Sequence, residues 1–193
     1  MHRGRVAVVA TFAFNGVVVG TWTSRVPAVA AHVHADPGSL GLVLLGGSIG
    51  LIVAAPLVSR LCLWFGTRTM VPPCVLLCSV AVTLIGLAPT VPWLGVAMFG
   101  LGMSIGALDV SMNIAAVAVV RELDRPLMPT FHGAYSFGAL GGGVLAGALV
   151  AAGWSPMRHF ALVAGLGVVV AVAVTRDMPV VRPAPAGDRP KQR

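Results

Sequence analysis

Residues 69–108, TMVPPCVLLCSVAVTLIGLAPTVPWLGVAMFGLGMSIGAL, run for 40 positions without an Asp, Glu, Lys or Arg. The run carries its own break, Pro89-Thr-Val-Pro92. It therefore splits into an apolar stretch at 69–88 and a second that starts at Trp93 and continues past Leu108 to Val120, each long enough to cross a ~30 Å hydrocarbon core. The rest of the chain has the same character. Of its 193 residues, 57% are hydrophobic and 10% charged, against about 25% charged in soluble domains. Mean hydropathy is +0.92, and Val, Ala, Leu and Gly give the chain its apolar character, since aromatics make up only 6%. The composition predicts an all-α, polytopic membrane protein in contact with a lipid bilayer.

Charges and Pro/Gly breaks divide the chain into six predicted spans: 6–23, 39–58, 69–88, 93–120, 128–152 and 157–175. The fourth is long for one crossing and is expected to tilt or project from the membrane. The net charge of +7 could suggest nucleic acid, but the basic residues lie between spans and in the tail, where topology explains them. One side holds Arg3, Arg5, Arg60, Arg68, Arg121, Arg125, Arg176, Arg182, Arg189, Lys191 and Arg193; the other holds only Arg25 and Arg158. Eleven against two places both termini in the cytoplasm of a multi-pass plasma (inner) membrane protein. Residues 1–176 are read as one six-helix bundle, and 177–193 as a disordered, basic, Pro-rich cytoplasmic tail.

The spans differ in chemistry. The third and sixth are almost wholly apolar and are expected to face lipid. Spans one, two, four and five carry Asn15, Ser48, Asp109, Asn113, His132 and Ser136. They also carry glycines at four-residue spacing, expected to pack helices: Gly16/Gly20, Gly46/Gly50, Gly102/Gly106 and Gly138/Gly142. Small faces of this kind let helices approach closely in lipid. Gly102 and, in the following Gly106-Ala-Leu-Asp-Val-Ser-Met-Asn113, Gly106, Asp109 and Asn113 share one helical face. A charge near the bilayer centre costs at least ~2.5–3.5 kcal/mol on insertion scales, so Asp109 is a functional candidate by default. Counting ~1.5 Å per residue from the loop Arg121-Glu-Leu-Asp-Arg125 sets Asn113 level with His132 and Asp109 level with Ser136. Asp109 and His132 could then form a hydrogen-bonded pair, either lining a water-filled pathway or clamping two helices. On span one, Asn15, Val18, Trp22 and Arg25 share a face, which makes Asn15 and Trp22 further pathway candidates.

Other patterns carry less. Cys62, Cys74 and Cys78 lack metal-ligand spacing and read as small packing residues. His2, Arg3 and Arg5 before an apolar stretch, with Ala28-Val-Ala30 after it, mimic a signal peptide. Arg25 and Pro27 separate the apolar core from that site, so an uncleaved first helix is expected. Gly46-Gly-Ser-Ile-Gly50 fits the serine-nucleophile pattern, but that pattern needs a strand–turn–helix elbow. His32, His34 and Asp36 alternate like metal ligands in what reads as a solvated loop. No catalytic residue, metal or cofactor is expected, and the chain is not read as an enzyme.

At this point the residues resemble a family. Gly20-Thr-Trp-Thr-Ser-Arg-Val-Pro27, Gly106-Ala-Leu-Asp-Val-Ser-Met-Asn113, and Arg125-Pro-Leu-Met-Pro-Thr-Phe-His132 leading into Ser136-Phe-Gly138 are similar to the N-terminal half of a major facilitator superfamily transporter. The likeness is greatest to its fucose-permease-like branch, with the YbjJ-like proteins. The superfamily's loop signature, roughly G-x-L-x-D-R-x-G-x-R, falls on Ser59-Arg-Leu-Cys-Leu-Trp-Phe-Gly-Thr-Arg68. Leu61, Gly66 and Arg68 match it, whereas Ser59, Leu63 and Trp64 depart from it. The helix-4 arginine of many proton-coupled members falls at Met98. Such transporters have two six-helix halves, each of two inverted three-helix repeats, with a small solute between the halves. The resemblance implies solute transport, with or without proton coupling, by this half together with a second half or another copy of itself. The alternative is a truncated or accessory membrane protein without transport activity. An offset of 86 residues overlays Gly16/Gly20 on Gly102/Gly106 and little else, so the inner repeat comes from the resemblance alone.

Overall fold

The computed structural model describes residues 2–180. They form six helices: α1 (His2–His32), α2 (Pro37–Phe65), α3 (Thr67–Gly86), α4 (Val91–Leu123), α5 (Met128–Ala151) and α6 (Pro156–Thr175). All six are long and apolar enough to cross a membrane, and no strand occurs among the described residues. The chain is therefore an all-α, multi-pass membrane protein.

The two ends of the bundle start helices by different chemistry. At one end, Asp36, Thr90 and Ser155 cap α2, α4 and α6, each followed by proline in the first two helical positions. Such caps satisfy amides that the first turn leaves unbonded. At the other end, α3 and α5 begin without a side-chain cap. Positive-φ residues turn the chain at both ends: His34 (φ 56°) and Gly153 (φ 74°) lie beside the caps. Gly66 joins α2 to α3 at φ 77° and Asp124 follows α4 at φ 49°.

Three helices run past their predicted limits. Arg25 and Pro27 do not end α1, which continues to His32 with Val29 buried, and Val33 just past its end buried as well. An interior proline removes one hydrogen bond, but packing beyond it sustains the helix. Arg25, expected in a solvated connection, is only 2% exposed. α2 runs about two turns past its predicted end, to Phe65, and α4 about one, to Leu123. At 33 residues, α4 reaches ~50 Å, well beyond a ~30 Å core. Of the tail expected from Asp177, residues 177–180 are described, and there Met178 is buried and the Pro179 carbonyl accepts from Thr67 Oγ1. The rest of that tail lies outside the described residues.

Packing pairs α1 with α5, α2 with α4, and α3 with α6; α3 also rests on α4, and α1 on α6. Apolar composition did not single out the exposed helices. α3 and α6 bury a stripe against each other and the core, including Cys74, Cys78, Val82, Phe160 and Val163. α5 and α2 leave the largest shares of their apolar windows uncovered. Composition cannot separate a lipid-facing helix from one packed among apolar neighbours, because both need the same side chains.

The glycines show why the two long crossings are so close. A Cβ on Gly16 would overlap the Tyr135 carbonyl oxygen, one on Gly20 that of Ala139, and one on Gly138 that of Ala13. In the second crossing, Gly102 abuts the Gly47 carbonyl oxygen, Gly106 that of Leu51 (2.7 Å), and Gly50 that of Phe99. These contacts correspond one to one. Adding 86 turns Ala13, Gly16 and Gly20 into Phe99, Gly102 and Gly106; adding 88 turns Gly47, Gly50 and Leu51 into Tyr135, Gly138 and Ala139. The α1–α5 crossing thus repeats in α4–α2 at residue register.

Two of the predicted packing glycines fall outside this one-to-one set. Gly142 is buried on α5, and a Cβ there would sit 2.6 Å from the Val17 carbonyl oxygen and 3.1 Å from the Thr21 nitrogen. It packs α1 as expected, but its counterpart 88 residues earlier is Ala54. The α2–α4 crossing therefore admits a methyl where α1–α5 admits none. Gly46 makes only an ordinary 3.5 Å approach to the Gly95 carbonyl, and buried Gly47 takes the close position instead.

Candidate functional site

Asp109 lies mid-membrane by helix position, three residues beyond Gly106, and its residue is exposed on the bundle surface. Asn113, one turn on, donates from Nδ2 to the Asp109 carbonyl at 2.8 Å and to its carboxylate at 3.2 Å. Across on α5, exposed His132 is close enough to interact electrostatically with Asp109, as is half-buried Tyr135. His132 is held from below by buried Phe12 of α1, whose ring meets it edge-on at 5.5 Å and stacks on Phe131 at 5.7 Å. Ser136 is exposed one turn from His132, and its hydroxyl donates to the His132 carbonyl at 3.1 Å.

A direct Asp109–His132 hydrogen bond is absent. α4 and α5 barely touch, because each packs instead on a helix of the other three-helix unit. Among the described residues no side-chain hydrogen bond joins α4 to α5. The carboxylate's partner is Asn113 on its own helix, so the pair does not clamp the two helices.

Asn15 and Trp22 do not join this exposed face. They are 2% and 6% exposed, inside the bundle. Asn15 Nδ2 approaches Met112 Sδ at 4.0 Å, and its Oδ1 has no partner among the described residues. An unmatched buried acceptor costs roughly 1–3 kcal/mol. The loop signature is structural in its contacts. Leu61 is half-buried, Gly66 takes the positive φ, and Arg68 Nε donates to the Thr175 carbonyl at 3.1 Å. A cation on the C-terminal carbonyls of α6 suits that helix's dipole. Ser48 of the nucleophile-like pattern lies inside α2, with no strand before it. Asp36 caps α2, accepting from Gly38 N, Ser39 N and Ser39 Oγ.

The repeat register adds Thr23, which sequence reading passed over, and pairs Ser48 with Ser136. Adding 86 carries Thr23 onto Asp109, and adding 88 carries Ser48 onto Ser136; all four are exposed. Ser48 donates to the Leu44 carbonyl as Ser136 donates to that of His132, and 44 and 132 are themselves equivalent. Thr23 donates to the Val19 carbonyl at 2.8 Å. The polar face thus has two ends. Asp109 and His132 lie on one side of the glycine crossings and Thr23 on the other, with Ser48 and Ser136 level with the crossings beside Gly47 and Tyr135. Also missed, the pair Arg25 and His159 is buried between α1 and α6.

Comparison with known proteins agrees with this architecture. The sequence profile described as Major Facilitator Superfamily matches residues 7–193. An uncharacterized transporter, y4wD, of Sinorhizobium fredii is 38% identical over 133 residues, 69% of this chain and 35% of that protein. An uncharacterized MFS-type transporter of Yersinia pestis is 29% identical over 167 residues, 86% of this chain and 44% of that protein. The membrane protein MosC of Rhizobium meliloti is 29% identical over 163 residues, 84% of this chain and 40% of that protein. The chain spans less than half the length of these curated relatives. With the profile covering nearly all of it, the chain belongs to the major facilitator superfamily.

Proposed function

We propose that these six helices form half of a secondary transporter that moves a small solute along the polar face of α1, α2, α4 and α5, with or without proton coupling. The motifs quoted above favour the fucose-permease-like branch. The observation that carries the reading is the exposed Asp109 carboxylate, with Asn113 as its own-helix partner, midway along a membrane-length helix. Lipid would penalise it, so a water-filled path or a protein partner suits it better. Asp109, Asn113 and His132 contact the solute toward the cytoplasm, Thr23 toward the exterior, and Ser136 and Ser48 between them. The glycines at both crossings keep the half rigid while it rocks against its partner.

That partner is a second six-helix half or another copy of this chain, seated on the uncovered faces of α2 and α5. Leu45, Ile49 and Ile52 on α2, and Phe137, Leu140 and Val144 on α5, are exposed apolar residues there. The eleven-to-two basic asymmetry supports cytoplasmic termini in the plasma membrane. Reconstitution tests the reading. Vesicles holding this chain with a second half should accumulate solute, and vesicles holding it strictly as a monomer should not. Uptake by the monomer would overturn the two-half requirement. No uptake by any pairing, across a broad solute panel, would favour the non-transporting alternative.

A further inference from the structure

The long first helix carries a cation into the packed end of the bundle. Arg25 is 2% exposed and His159 is wholly buried. Arg25 Nε donates to His159 Nδ1 at 3.2 Å, and Nη1 donates to the Trp154 carbonyl at 3.1 Å. Arg25 Nη2 and His159 Nε2 have no hydrogen-bond partner among the described residues. Among the described residues, no carboxylate answers the guanidinium. Near this end, α1 offers otherwise only exposed His32, and α6 only exposed Arg158. The charged residue of α3, Arg68, sits at the opposite end on the Thr175 carbonyl. In the adjoining loop, His34 is exposed, and Asp36 is engaged by Gly38 and Ser39.

An arginine in a protein keeps its charge, whereas an imidazole nitrogen accepts a hydrogen bond only while unprotonated. Acceptance at Nδ1 places the ring proton on Nε2. A second proton would set N–H against N–H, and would put two positive charges side by side where burial leaves little screening. We propose that Arg25 and His159 form a proton-sensitive clasp: neutral His159 ties the end of α1 to the start of α6, and its protonation releases them. The clasp lies beside the α5–α6 connection, the external side in the orientation proposed above, so external acid would open it. The chemistry holds whether or not the chain transports anything.

The sign of the pH effect follows from the neutral ring. The clasp's contribution is complete above the unfolded imidazole value of ~6.5 and declines as pH falls below it. Thermal unfolding of the full chain in lipid nanodiscs at pH 7.5 and 5.0 tests this. A thiol-reactive maleimide dye reports unfolding as Cys62, Cys74 and Cys78, all buried, become reactive. The wild-type melting temperature should fall by about 5 °C between the two pH values. His159→Gln offers Arg25 an amide oxygen and does not titrate, so its melting temperature should change by much less. An equal fall in both proteins would overturn the clasp. Should His159→Gln fail to accumulate, ¹³C-histidine NMR of the wild type decides. A His159 ring fully protonated at pH 5.5 with undiminished melting temperature would overturn it; a ring neutral until the protein destabilises would support it.

Discussion

Gly100 and Gly102 lie two residues apart on α4, yet alanine should act on them in opposite directions. A Cβ at Gly102 would overlap the Gly47 carbonyl oxygen and sit 2.7 Å from its carbonyl carbon and 3.0 Å from its Cα. Carbon pairs rest at about 3.5–4.0 Å, so α2 and α4 must separate by about 1 Å. Every atom in the way is backbone, so no side chain can turn aside. A gap of that size forfeits roughly a quarter to a half of each contact's attraction along the crossing. Overpacking of this kind costs about 3 kcal/mol at its upper range, offset by about 1 kcal/mol of helix propensity. The net loss of about 2 kcal/mol lowers the melting temperature by roughly 4–8 °C in a chain this long. A Cβ at Gly100 meets nothing within 4 Å, so Gly100→Ala keeps only the propensity gain and should raise it by about 2–4 °C. Thermal unfolding in nanodiscs compares the two. Equal shifts, or an unchanged melting temperature for Gly102→Ala, would refute the close-crossing argument.

Three further outcomes follow from the geometry. Gly16→Ala, the repeat counterpart, should match Gly102→Ala to within about 1 kcal/mol, because both meet an equivalent backbone carbonyl. A cysteine introduced near His34 should react with an impermeant thiol reagent from outside and one near Arg121 should not; the reverse pattern would invert the topology. The carboxyl of Asp36 is held below the usual range chiefly by Ser39 Oγ, with the Ser39 and Gly38 amides adding to it. Its cap therefore contributes in full above the unfolded carboxyl value of ~3.9 and is lost as pH falls below it; Asp36→Asn, which still caps, should flatten that acid-limb loss of α2 helicity.

The six spans were legible because lipid allows one answer to a 20-residue apolar run. Their limits were less so: Pro27 and Arg25 looked like a helix end, and only the packing of Val29, Val33 and His159 shows why α1 continues. The inner repeat eluded a single offset for a physical reason. Helix pairs α1/α4 register at 86 and α2/α5 at 88, so no one shift aligns both; the backbone contacts of Gly16, Gly50, Gly102 and Gly138 reveal the two registers together. Glycine spacing alone was also an imperfect guide, since Gly142 is matched by Ala54 and Gly46 yields its place to Gly47. On the candidate site, counting residues set Asp109 near His132 in depth. It could not show that α4 and α5 scarcely meet, which gives the carboxylate to Asn113. Nor could a helical wheel tell that the Asn15–Trp22 face turns inward, since inside and outside are both apolar here.

The most direct test of the transport reading is solute accumulation by Asp109→Asn in cells that also supply a second six-helix half, co-expressed or fused after Arg193, with His132→Gln alongside. Asn keeps the shape and a hydrogen-bonding oxygen but removes the charge. A charged hydrogen bond contributes ~1.5–3 kcal/mol, so accumulation should fall roughly 10- to 100-fold. Protein level should stay normal, because the Asp109 side chain ties no two helices together. Full accumulation by Asp109→Asn at normal protein level would contradict the account and leave Gly106-Ala-Leu-Asp-Val-Ser-Met-Asn113 a packing motif.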